Sequence, residues 1–215
     1  MRLTIVYDDK KITNEDLIPD HGFSCYIETG TETVVFDTGT DGKILLHNME
    51  VLQKYPKKIS KIVISHEHYD HNGGLNDLLK ILDVATVYRI GKGQSTNTIQ
   101  HIQITDPIQI SKNIWSTGRL KGTPLDEQSL ILKTSKGITV LTGCSHSGVE
   151  NILRVARSFG PIVGLIGGFH GFNTLSTLND INAIYPFHCT THKTQIREEY
   201  PKTSFDCYVG MSIRL

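Results

Sequence analysis

The stretch "KIVISHEHYDHNGG", residues 61–74, constrains this chain more than any other. An apolar run bounded by polar residues reads as a short buried strand. Directly after it come His66, Glu67, His68, Asp70 and His71, five ionisable side chains on one turn. The fold must therefore bury Ile62, Val63 and Ile64 and deliver a cluster of imidazoles and carboxylates to the strand's carboxyl end. Ligands gather at that edge in α/β sheets. His66 and His68 are two apart, so in an extended segment they point the same way and would share one metal. Asp70 and His71 are adjacent as the chain turns into a helix, so they face another direction and would serve a second metal. Mixed imidazole and carboxylate donors suit zinc, manganese or iron better than calcium or magnesium. Gly73 and Gly74 are read as the residues that let the backbone bend. The competing reading, a surface histidine cluster without a metal, leaves this concentration of charge without a purpose.

One segment cannot complete two metal sites, because each ion needs further ligands. Three later segments share one form, an apolar strand ending in a histidine: "VLTGCSHSG" with His146, "VGLIGGFHG" with His170 and "IYPFHCTTH" with His188. A lone histidine at a strand end is ordinarily structural or a solvated surface group. Three in the same position, beside the cluster at 66–71, point to ligation.

The surrounding pattern is mixed. "LTIVY", "FSCYIETG", "ETVVFDTG", "KIVIS", "ATVYR", "TIQHIQI", "NIWSTG", "IVGLIGG" and "AIYPFH" read as strands, and "QSLILKTSKGITVLTG" as a hairpin turning near Lys136-Gly137. Helices are expected over 42–55, with Ile44, Leu45, Asn48, Val51, Leu52 and Tyr55 on one face, over "GGLNDLLKIL", over "GVENILRVARSF" and over "TQIREEY". The tail "FDCYVGMSIRL" would add edge strands. Two sheets packed face to face with helices outside them would bury such a pattern, an α/β class, with residues 1–215 as a single domain. "GKGQSTN", residues 91–97, reads as a surface loop or lid. Lys+Arg and Asp+Glu both number 22, so no global field steers nucleic acid or an anionic membrane. A small-molecule substrate is expected, with neither nucleic acid nor membrane as partner. The N-terminus lacks the shape of a signal peptide and no apolar run reaches a membrane span. The four scattered cysteines read as free thiols or ligands, and the chain as cytoplasmic.

"SHEHYDHNGG" resembles the H-x-H-x-D-H motif of the metallo-β-lactamase superfamily, and "VVFDTG", with Asp37, resembles the strand and aspartate that precede it there. Within that superfamily the chain is similar to a dihydropteroate-synthase-like subgroup that includes dihydropterin-ribofuranosylaminobenzene-phosphate synthases. The residues that carry this likeness are "HGFSCYIET" (21–29), "DEQSLIL" (126–132), "TGCSHSGVENIL" (142–153), "GGFHG" (167–171) and "FHCT" (187–190). The resemblance implies a four-layer αββα sandwich and a dinuclear centre. His66 and His68 would hold one metal, and Asp70, His71 and His188 the other. The chain departs from the common pattern where "STGRLKG" (116–122) carries no histidine, and where "TGCSH" puts Cys144 in place of a bridging aspartate. His146 then takes the third place on the first metal. Cys144 is either a bridging thiolate or a small buried residue behind the loop. His170 has no counterpart among the usual ligands and reads as a pocket residue that donates to substrate or protonates a leaving group. Asp37 would orient a ligand imidazole. Tyr69 reads as packing, Glu67 as solvated or paired, and Trp115 as either core or a wall for a flat ligand.

Two divalent metals activate water near neutral pH and polarise a carbonyl or phosphoryl oxygen. With Asp70 orienting the nucleophile, this is hydrolase-type chemistry; in the resembled subgroup the same clamp would stabilise a departing pyrophosphate. The expected function is a metal-dependent enzyme acting on a phosphorylated or pyrophosphorylated small molecule, as a phosphoester hydrolase or a pterin-type synthase. The alternative is a metal-containing protein that senses a small ligand without turnover.

Overall fold

The computed structural model describes residues 1–12 and 15–215, which divide into two compact units. The first comprises Met1–Ile104 with Tyr208–Leu215. Its sheet contains β1 (Arg2–Tyr7), β2 (Ser24–Glu28), β3 (Thr33–Phe36), β4 (Ile59–Val63), β5 (Ala85–Arg89), β6 (Ile99–Gln103) and β13 (Ser212–Arg214), in the order β13-β1-β2-β3-β4-β5-β6. β1, β2, β3 and β13 pair antiparallel, whereas β3 to β6 run parallel. The carboxyl ends of β3 and β4 therefore lie side by side. The tail forms the expected edge strand.

Helix α1 (Gly42–Val51) starts where Asp41 accepts from the amides of Lys43 and Ile44. The sequence pattern extends this helix to Tyr55, but it stops at Val51. Gln53 adopts a left-handed conformation and Pro56 follows, so the last turn cannot form, and Tyr55 is exposed. The face that packs centres on Leu45, Asn48 and Met49. Leu45 and Met49 join Val35, Ile62 and Ile64 in one apolar cluster, with Leu75 and Leu78 from α3 (Leu75–Lys80). Asn48 belongs to the buried face as expected, for a polar reason. Its Nδ2 donates to the carbonyls of Val6 (3.1 Å) and Ile18 (2.9 Å), and its Oδ1 accepts from the Ile18 amide (2.9 Å).

The second unit, Thr105–Cys207, holds β7 (Ile108–Ser111), β8 (Ile114–Ser116), β9 (Leu130–Thr134), β10 (Gly137–Thr142), β11 (Ile162–Gly168) and β12 (Ala183–Phe187), in the order β12-β11-β10-β9-β8-β7. β9 and β10 form the predicted hairpin, and β10, β11 and β12 are parallel. Helix α4 (Val149–Ala156) buries Val149, Ile152, Leu153 and Ala156 in a cluster with Leu165, Phe169 and Ile184; Ile196 joins it from α5 (Lys193–Glu199). Trp115 packs on Phe159, with ring centroids 5.8 Å apart and the Lys133 ammonium 5.6 Å above the indole. Of its two readings, packing is the one this unit supports. No helix among the described residues is long and apolar enough to cross a membrane.

Replacing Asn48 by leucine keeps the branched shape, with bulkier methyl groups, but takes the hydrogen-bond partner from the buried Val6 carbonyl and from the part-buried carbonyl and amide of Ile18. An unsatisfied buried group costs about 1–3 kcal/mol, so Asn48→Leu should lose roughly 3 kcal/mol in urea denaturation despite the gain in hydrophobicity.

Candidate metal centre

In the first unit the site is organised by Asp37, which follows β3 and is wholly buried. Its amide donates to the Val63 carbonyl (2.8 Å), and its own carbonyl accepts from the Ser24 hydroxyl (2.8 Å). The carboxylate holds the end of β4. Oδ1 accepts from the Ser65 amide at 2.7 Å, and Oδ2 from the Ser65 hydroxyl at 2.7 Å. Oδ2 also lies 2.7 Å from Nδ1 of the buried His71. Thr38 fixes the same histidine from the backbone side, its amide and hydroxyl both donating to the His71 carbonyl (2.7 and 3.1 Å). Burial pushes the Cys25 thiol above its usual range, and the Asp37 charge adds to that, so Cys25 is an inert core thiol.

With Nδ1 taken up by Asp37, His71 turns Nε2 to within 3.5 Å of Asp70 Oδ2. His66 is set by Ser65, whose hydroxyl lies 2.9 Å from His66 Nδ1, and this directs His66 Nε2 to within 3.1 Å of His68 Nδ1. Two pairs of donor atoms thus converge: His66 with His68, and Asp70 with His71. His71 sits close to His66 as well, with ring centroids 4.3 Å apart. Imidazole nitrogens and a carboxylate oxygen, with one ring anchored by a buried carboxylate, are the donor types that suit zinc-type divalent cations. His68 is the residue before α2 (Tyr69–Asn72), and Asp70 and His71 lie on that helical turn, so the extended-then-turning shape read from the sequence is present.

Three neighbours differ from expectation. Tyr69 is not packing; its side of the short helix faces solvent and it is 68% exposed. Gly73 and Gly74 have ordinary helical backbones, so no bend requires them. A Cβ would stand 2.2 Å from the Thr40 carbonyl at Gly73 and 2.4 Å from the Thr38 carbonyl at Gly74, so they are glycines because the segment after Asp37 passes directly over them. His21, which the residue pattern does not single out, places Nε2 3.5 Å from Asp70 Oδ2 and Nδ1 3.5 Å from Asp9 Oδ2. The Phe23 amide donates to the Asp70 carbonyl (3.2 Å), so the segment "HGF" braces the motif. Glu67 is paired. Burial would raise its pKa, but Arg89, the Gly91 amide and Asn72 outweigh this and hold the carboxyl below its ordinary range.

In the second unit, Cys144, His146, His170 and His188 follow β10, β11 and β12 at one edge of the sheet. Ser145, His170 and His188 have positive φ (63°, 44° and 42°). Left-handed backbone is costly for a residue with a side chain, and such strain concentrates at functional sites. It is held here by hydrogen bonds between the three loops. The Ser145 hydroxyl donates to the Gly168 carbonyl (2.7 Å), the Thr191 amide to the His170 carbonyl (2.9 Å), and the Phe169 amide to the Thr190 hydroxyl (2.9 Å). Gly168 leaves room for Cys144 and Cys189: a Cβ there would meet the Cys189 sulfur at 2.6 Å and the Cys144 Cα at 3.4 Å. Cys144 and His188 are buried, His146 is half-buried and His170 exposed. The rings of His146 and His170 are 5.1 Å apart and border a cavity of about 260 Å³ walled by Phe169 and Phe172, with Thr123, Glu150 and Asn173 as polar lining. None of the four cysteines is in a disulfide.

Residues 17–181 match the model of the metallo-β-lactamase superfamily. The chain belongs to that superfamily, has its fold class as read from the sequence, and is with it a metal-dependent enzyme of hydrolase or transferase type. Among relatives, it is 24% identical to the 7,8-dihydropterin-6-methyl-4-(β-D-ribofuranosyl)-aminobenzene-5'-phosphate synthase of Methanocaldococcus jannaschii, over an alignment covering 73% of each chain. It is 28% identical to an uncharacterized protein of the same organism, covering 70% of this chain and 72% of the relative. Among solved structures it resembles Tm1679, a metal-dependent hydrolase of the β-lactamase superfamily, with a TM-score of 0.79, 26% identity and coverage of 100% and 99% of the two chains.

Asp37 gives a direct test of the first unit's geometry. Asn tolerates the left-handed backbone that Asp37 adopts, at φ 59°, so Asp37→Asn removes the charge without straining the chain. It should cost about 1–3 kcal/mol, and Asp37→Ala, which leaves Ser65 and His71 unsatisfied, about 3–5 kcal/mol, both read by urea denaturation.

Proposed function

We propose that this chain carries a dinuclear metal centre and acts on a phosphorylated or pyrophosphorylated small molecule, with residues 1–215 as one metallo-β-lactamase-type domain. His66, His68 and His146 hold one divalent metal, and Asp70, His71 and His188 the other. Zinc suits this donor set best, with manganese or iron as alternatives. The observation that carries the reading is the orientation of the two imidazole systems in the first unit. Asp37 takes Nδ1 of His71 and Ser65 takes Nδ1 of His66, which turns both Nε2 atoms toward further donors. A histidine cluster without a ligand has no need of a buried carboxylate to select its tautomer.

When bound, two such metals supply a nucleophile near neutral pH and a positive clamp on phosphoryl oxygens. The chain's own contributions follow from position. Asp70 binds metal and orients the attacking group. His170, exposed beside His146, donates to the substrate or protonates the leaving group. Asp37 holds His71 in register. The substrate class is supported by the Methanocaldococcus jannaschii relative, a synthase whose name joins a dihydropterin to a ribofuranosyl-aminobenzene phosphate. We take the chain to act in the cytoplasm, with a small molecule as its partner.

Elemental analysis of metal-reconstituted protein should give two divalent ions per chain; one or none would refute the dinuclear reading. His68→Ala should lower activity by about 10–100-fold or more while its circular dichroism stays that of the parent, because the residue sits past a strand end, outside the core. Activity is to be read with generic phosphodiester and ester substrates, with and without added manganese.

Cys144 distinguishes two versions of the centre. If its thiolate bridges the metals, Cys144→Ala weakens one ion and Cys144→Asp retains both. If it packs behind the loop, Cys144→Ala leaves metal content unchanged and Cys144→Asp is the destabilising change, since it buries a charge. The packing version is the one proposed here, with His146 as the ligand, and metal content together with melting temperature of the two variants separates them.

A further inference from the structure

The loop at 91–97 plays no part in the proposed centre, yet it roofs a cavity of about 670 Å³ in the first unit. The floor is apolar. Leu75 and Ile99 come from the core, and Leu79 packs against it. The walls are cationic: Lys80 at the end of α3, Arg89 at the end of β5 and Lys92 on the loop, with no acidic residue among the described lining residues. The amides of Asn76 and Gln94 and the hydroxyl of Thr96 add donors.

These charges differ in how firmly they are held. Lys80 pairs with Asp77 at 2.7 Å, but the side chains are 72% and 40% exposed, and a pair so open to solvent contributes little. Its ammonium can turn to another anion at small cost. Lys92 is exposed on the loop. Arg89, at the inner wall, is held in place by its two contacts to the Glu67 carboxylate, which already balances its charge, so Lys80 and Lys92 carry the attraction for an anion and Arg89 shapes the wall. His101 on β6 lines the same cavity, and its pKa is lowered by burial and then by the positive charge of Arg89, against a smaller raising effect of Glu67. Its Nδ1 is buried against Gly93, where a Cβ would stand only 2.1 Å away. The loop is therefore seated closely on β6 at this point.

We infer that this cavity is a second ligand site, for an organic phosphate monoester: a dianionic head drawn by Lys80 and Lys92 against the Arg89 wall, and an apolar body on Leu75, Leu79 and Ile99. A phosphate, with three terminal oxygens, matches two ammonium groups and neighbouring amide donors better than a two-oxygen carboxylate does. The apolar floor gives no purchase to a bare inorganic ion. Arg89 joins this cavity to the metal motif, because the Glu67 it holds lies between His66 and His68.

The test uses phenylphosphonate, which mimics the monoester and is not hydrolysed, titrated into the full chain and followed by amide chemical shifts and calorimetry. Saturable binding is expected, with shifts at Gly91–Thr96 and on β6. Lys92→Glu, an exposed substitution, should weaken it about tenfold or more. His68→Ala should leave the affinity within about twofold, since that residue is outside the cavity. Methylphosphonate should bind distinctly more weakly, for lack of an apolar body. The proposal is overturned if no saturable binding occurs at millimolar ligand, or if the shifts centre on 66–71 and His68→Ala abolishes binding while Lys92→Glu does not. Equal affinity for methylphosphonate would equally overturn the assigned ligand class.

Discussion

The first unit depends on the buried carboxylate of Asp37. A charge so enclosed is destabilising unless every oxygen is satisfied, and here each is: Oδ1 by the Ser65 amide, Oδ2 by the Ser65 hydroxyl and His71 Nδ1. These contacts tie the end of β3 to the end of β4 and to the first helical turn beyond it. They also choose which nitrogen of His71 faces away from the core. Stability and site orientation thus rest on one side chain, and the sequence "VVFDTG" and the sequence "ISHEHYDH" are two parts of a single hydrogen-bonded unit.

Backbone strain marks the same places. Among the described residues, six non-glycine residues have positive φ, and four of them are Asp37, Ser145, His170 and His188, each at or just past the end of a parallel strand. The remaining two, Gln53 and Asn113, end a helix and turn a hairpin, where such geometry is common. A left-handed residue after a strand turns the chain sharply and leaves its side chain at the sheet edge. Thr190, Ser145 and Ser65 then hold these turns through hydroxyl contacts to neighbouring segments. The second unit repeats at three strand ends what the first does at one.

Most of the fold was legible because strand signals in this chain are strong: "LTIVY", "KIVI" and "IVGLIGG" are apolar runs that only a buried strand accommodates. β7 was not legible. It has four residues, follows Pro107, and exposes Ile108 and Gln109 at the sheet edge, so its pattern carries little apolar signal. Periodicity alone carries α1 on to Tyr55, because Val51, Leu52 and Tyr55 continue its apolar face, and it does not register the left-handed turn at Gln53. The histidines and acids of the site were legible as donors from spacing and position. Their environment was not. That Gly73 and Gly74 answer to carbonyls 33 or more residues earlier, or that His21 reaches Asp70, depends on chain segments distant in sequence, and no local pattern encodes it.

In the proposed centre, the donor pairs set by Asp37 and Ser65 each belong to a different metal. Anomalous diffraction from crystals of the zinc-loaded protein, recorded on both sides of the zinc edge, distinguishes this arrangement from a single shared ion. Two peaks are expected, one against His66 and His68 and one against Asp70 and His71. A single peak shared by all four residues, or zinc bound elsewhere with His71 still paired to Asp37, would contradict the account.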